Sequence, residues 1–62
     1  MNPREQGRKN GQIDFRLGIP LDIAWYGTTS KNNYAREYAL GYRVGWLEVR
    51  AIHKQNGGTH VN

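Results

Sequence analysis

The chain lacks cysteine altogether and is sparing with proline (two), phenylalanine (one) and methionine (one) over 62 residues. Without cysteine there is no disulfide and no thiolate metal site, and the composition fits a reducing compartment. A single domain this short buries only about 60% of the surface its unfolded chain exposes. With disulfides excluded, oligomerisation or a partner is the expected source of added stability. No apolar run approaches the roughly 18 residues that cross a bilayer. The opening stretch MNPREQGRKNGQ holds no apolar segment of the kind a secretory signal needs. The expectation is a soluble, cytoplasmic protein with no membrane partner.

Acidic residues are also scarce. Nine Lys and Arg stand against five Asp and Glu, a net charge of +4 with an isoelectric point near 9.9. That balance selects anionic partners and is typical of small nucleic-acid-binding domains. Catalytic patterns are missing: neither GxxxxGK[ST] nor GxGxxG occurs, and Asp14, Asp22, Glu37 and Glu48 are scattered. His53 and His60 straddle Gly57-Gly58 without carboxylate support, too little for a metal site. The expectation is a non-enzyme with no metal and no cofactor.

Residues 1–12 are polar, with Pro3, Gly7, Gly11, Arg4, Arg8 and Lys9, and read as a flexible basic arm able to lie along phosphates. Residues 13–19, IDFRLGI, alternate apolar Ile13, Phe15, Leu17 and Ile19 with Asp14, Arg16 and Gly18, the period of a short strand or extended segment. Pro20 ends that segment, and 20–26 reads as a helical turn with Gly27 as terminator. Trp25 and Tyr26 read as core. Residues 28–33 are polar, and Ser30, Asn32 or Asn33 could cap a following helix. From there to about residue 55 the spacing predicts one long amphipathic helix, ended by Gly57-Gly58, with 57–62 a flexible tail. The fold class is mainly α, or small α+β, with 13–56 as one domain.

At about 100° per residue, Tyr34, Tyr38, Gly41, Tyr42, Gly45, Val49 and Ile52 share one side of the long helix. Each glycine there costs roughly 0.5–1 kcal/mol relative to alanine, so the pair Gly41/Gly45 reads as a notch for a closely approaching backbone. The expected occupant is the 13–26 segment or a second copy of the helix, which makes this side the interface and the chain a homo-oligomer. Leu40, Val44, Leu47 and Ala51 add apolar character on a neighbouring side. Almost opposite the notch, Arg36, Arg43 and Arg50 recur every seven residues, Lys54 continues the row and Trp46 flanks it. Such a row suits consecutive phosphates, and Trp46 could stack on an unpaired base. With Arg16, Arg8 and Lys9 these are the candidate nucleic-acid contacts.

The stretch Tyr38-Ala-Leu-Gly41-Tyr42-Arg43-Val-Gly45 resembles the signatures of ribosome modulation factor and its small phage and plasmid relatives. Trp25-Tyr26-Gly27 and Asn33-Tyr34 resemble that family's glycine-containing first helix and its Asn-Pro-Tyr linker, here without the proline. The resemblance covers residues 24–51. It implies two helices on a small basic protein that binds ribosomal RNA and silences ribosomes, through Arg36, Arg43, Arg50 and Trp46. A second resemblance, on Ile13-Asp-Phe15-Arg16-Leu17 before a proline, is to ribbon–helix–helix repressors. It implies a strand-paired dimer reading DNA with Asp14, Arg16 and Gly18, of which Arg16 would be the base reader. Exposed aromatics also suit an inhibitor that binds one host protein.

Overall fold

In a computed structural model, which describes residues 2–21 and 29–60, the chain is two helices, α1 (Pro3–Arg16) and α2 (Asn33–His60), with no strand among the described residues. The mainly α expectation holds. Two local expectations fail. The supposed flexible arm is most of α1, and the supposed strand 13–19 is the last turn of α1 followed by its cap.

The start of α1 has a local cause. Asn2 sits outside the helix and its side-chain oxygen accepts the Glu5 amide at 2.8 Å, while Pro3 occupies the first turn, where no amide is needed. Its end is equally defined. The Gly18 amide donates to the Phe15 carbonyl (3.0 Å) and the Ile19 amide to that of Asp14 (2.9 Å). This is a Schellman closure, and it requires the φ of +78° that Gly18 adopts. Pro20 follows. The apolar alternation that suggested a strand is divided by the helix: Phe15 turns inward while Ile13 and Leu17 remain exposed.

α2 opens on Asn32, whose side chain accepts the Ala35 amide at 3.1 Å. At about 1.5 Å per residue its 28 residues span about 42 Å, which accounts for most of the 46 Å long axis. The helix runs on through Gly57-Gly58 to His60, so neither the predicted stop nor the tail at 57–60 is found. Glycine ends a helix only when it turns left-handed; helical angles are equally open to it. The predicted helical turn 20–26, its terminator Gly27 and the core assignment of Trp25 and Tyr26 lie outside the described residues, except that Pro20 and Leu21 are not helical.

The helices are parallel. Arg4 lies against Gly41 and Glu37, Arg8 against Gly45 and Glu48, Gly11 against Tyr42 and Trp46, and Phe15 against Trp46 and His53. The connection begins beside Trp46, whose indole N–H donates to the Ile19 carbonyl at 2.8 Å. It ends beside Arg36, whose guanidinium donates to the Ser30 carbonyl at 3.3 Å.

Candidate nucleic-acid interface

Four glycines set the distance between the helices. A Cβ on Gly7 would collide with the Tyr38 carbonyl and lie 2.8 Å from the Tyr42 amide nitrogen. On Gly11 it would meet the Tyr42 carbonyl and lie 2.9 Å from the Trp46 nitrogen. On Gly41 and Gly45 it would run into the carbonyls of Arg4 and Arg8. Gly7/Gly11 and Gly41/Gly45 are thus the same four-residue spacing on two helices, each the notch for the other's backbone. At that range a glycine Cα–H can donate weakly to the facing carbonyl, about 0.5–1 kcal/mol each. The cost of four helical glycines, about 2–4 kcal/mol in all, is therefore offset by contact that no larger residue permits. The buried set reflects it: all four glycines are buried, with Ala39 and Tyr42 the buried hydrophobic side chains among the described residues.

Polar contacts flank the notch. The Tyr42 hydroxyl donates to the Asp14 carboxylate in a short hydrogen bond. Burial, then that bond and the carboxylate's charge, push the phenol far above its ordinary pKa, so Tyr42 stays a donor at any physiological pH. Asn10 donates to the Tyr38 hydroxyl at 2.6 Å, and the Tyr38 and Tyr42 rings stack with centroids 6.4 Å apart. Arg4 grips Glu37 through both carboxylate oxygens at 3.1 Å. Arg8 holds Glu48 in the same fork at 2.7 and 2.9 Å. The hydrogen bond from Arg8 and its charge hold the Glu48 carboxyl below the usual glutamate range.

Part of the predicted contact side packs within the chain. The notch at Gly41 and Gly45 is filled by the α1 backbone at Arg4 and Arg8, upstream of the expected 13–26 segment, while Tyr42 does meet that segment at Asp14 and Tyr38 meets Asn10. Tyr34 and Ile52 are left exposed. Half-buried Val49 joins Phe15, Arg16, Gly18, Ile52 and His53 around an open cleft of about 540 Å³.

Among the candidate cations, Arg43, Arg50 and Lys54 are exposed on the outer side of α2 and Lys9 on that of α1, while Arg16, also exposed, borders the cleft beside Val49, Ile52 and His53. Three other candidates have structural duties. Arg8 is tied to Glu48. Arg36 is half-buried, holding Ser30 and the Asn33 side chain (2.7 Å) at the helix start. Trp46 anchors Ile19, meets the Phe15 ring edge-on at 5.1 Å and lies 5.9 Å under the Arg50 guanidinium. It is part of the packing, not an open stacking platform.

Sequence reasoning missed Gly7, Gly11, Arg4 and Glu37. Gly7/Gly11 repeats the spacing of Gly41/Gly45, and that repetition was the available signal. No grouping of three or more His, Asp or Glu suited to a metal occurs among the described residues, and no described helix is long and apolar enough to cross a membrane. No protein-family model, curated protein or solved structure matches this chain.

Proposed function

We propose that this chain is a small non-enzymatic regulator that binds nucleic acid or a ribonucleoprotein, with RNA or the ribosome as its target, through the outer side of α2. One observation carries this. The acidic residues of α2 are Glu37 and Glu48, and each is neutralised by an arginine of α1 on the inner side. The outer side gathers Arg43, Arg50 and Lys54, all exposed, and carries no acidic residue of that helix. About 10 Å of helix axis separates Arg43 from Arg50, a distance over which two long cationic side chains can reach different phosphates of one backbone. The resemblance to ribosome modulation factor supplies RNA as the class. The strand that a ribbon–helix–helix repressor needs falls on α1, which weighs against the DNA reading.

Replacing Arg43, Arg50 and Lys54 together by Gln tests it. Circular dichroism should be unchanged, and RNA affinity should fall with a log–log salt slope shallower by up to about 2–3, at roughly 0.7–0.9 per phosphate contact. Unchanged affinity and slope overturn the proposal. So does a pull-down in which one host protein is retained after nuclease treatment while no RNA or ribosome co-purifies.

A further inference from the structure

α2 carries a second organised face, about 140° around the helix from the α1 contact. Leu40, Val44, Leu47 and Ala51 are spaced four, three and four apart, the spacing of a coiled-coil seam. Val44 is 47% exposed at the rim of an open groove beside Arg4, Glu5 and Arg8 of α1, Ala51 is exposed, and Leu40 and Leu47 are half-buried. We infer that this face is a self-association surface: two copies pair their α2 helices in parallel along Leu40, Val44, Leu47 and Ala51. This goes beyond the proposed nucleic-acid role and does not depend on it.

Two features name a second copy as the occupant. The first is side-chain shape. In seam terms Leu40 and Leu47 take the d positions and Val44 an a position, and β-branched a with leucine d favours parallel two-stranded pairing. The second is charge. Arg36, Arg43 and Arg50 fall at g and Gly41, Glu48 and Gln55 at e. A parallel pair sets Arg43 of one copy against Glu48 of the other, five residues on. An antiparallel pair sets one arginine row against the other and is repelled. The Glu48 side chain stays 39% exposed beside the Arg8 fork, within reach of a charge on a facing copy. Glu37 and Lys54 continue the spacing and close the seam at both ends, Glu37 being turned toward Arg4.

Sedimentation equilibrium over a rising concentration series, without nucleic acid, tests the inference. The mass should climb from 7.1 kDa toward twice that value. Val44→Glu should keep it at the monomer value with helicity unchanged, and Arg43→Glu should raise the dissociation constant severalfold. The absence of native cysteine allows a clean register test. Leu40→Cys should oxidise to a disulfide dimer with itself, as should Ala51→Cys. A mass fixed at the monomer overturns the inference. So does a dimer indifferent to Val44→Glu, or cross-linking only between the Leu40→Cys and Ala51→Cys chains, which marks antiparallel pairing.

Discussion

The two sides of α2 are built from similar material and end in opposite states. On the inner side, Gly41 and Gly45 admit the backbone of α1, Tyr42 is buried against Asp14, and Glu37 and Glu48 are held by Arg4 and Arg8. On the outer side, Arg43, Val44 and Arg50 remain at the surface. The difference teaches how so small a chain can fold on one side of a helix and leave much of the other exposed. The contact combines close backbone approach at four glycines with a few side chains, Ala39, Tyr42, Phe15 and Trp46. Arg43, Val44 and Arg50 are thereby left exposed on the helix. A conventional amphipathic helix would have spent Leu40, Val44 and Leu47 on its own core.

Breaking the inner side should have the largest effect. Gly45→Leu places a branched side chain where even a Cβ meets the Arg8 carbonyl. The helices must separate, at a cost above the usual 1–3 kcal/mol of core overpacking. With a stability of only about 5 kcal/mol to draw on, the expected outcome is loss of the cooperative thermal transition. Val44→Ser, one position away on the outer side, should shift the melting temperature little when measured at dilution. Equal effects would erase the contrast. Tyr42→Phe is milder: it leaves the Asp14 carboxylate without its donor, worth about 1.5–3 kcal/mol for a bond to a charged group. Because the phenol is raised in the folded state, its contribution is complete below the ordinary tyrosine range and is lost as pH rises toward the folded value. Ultraviolet titration should show a late phenol ionisation coinciding with unfolding, and Tyr42→Phe should remove it.

The long helix was legible because its apolar and basic periodicities coincide from Tyr34 onward, and the glycine pair was correctly understood as a notch. α1 was illegible for a physical reason. Its contact face is Arg4, Gly7, Arg8 and Gly11, so the helix packs tightly while showing no apolar periodicity at all. The short alternation Ile13, Phe15, Leu17, Ile19 then supplied a false strand signal. The correct cues were chemical: Asn2-Pro3 with Glu5 three residues on is a helix start, Gly18 before Pro20 is a helix end, and Gly7/Gly11 matches the notch it fills. At the candidate interface, the sequence placed the basic row on one face but could not tell which members serve the fold. Arg8 and Glu48 are forty residues apart, and Trp46 and Ile19 twenty-seven; only the folded chain brings either pair together.

The Arg8–Glu48 fork is the finest point of contrast, because it belongs to both sides. It closes the inner contact, and through Glu48 it meets the edge of the outer seam. Its carboxyl is held below the ordinary glutamate range by the Arg8 hydrogen bond and charge. A depressed folded-state value means that the fork's stabilisation is complete above the ordinary glutamate range and is lost as pH falls through the lowered value. Being exposed, the pair should give a small effect that salt reduces. Glu48→Gln should therefore lower the melting temperature slightly at neutral pH and flatten the acid limb of the stability profile, with the two proteins converging at the lowest pH. Should Glu48→Gln instead leave the acid limb unchanged, the acid sensitivity lies elsewhere among the carboxylates, and the fork contributes geometry rather than charge to the α1–α2 contact.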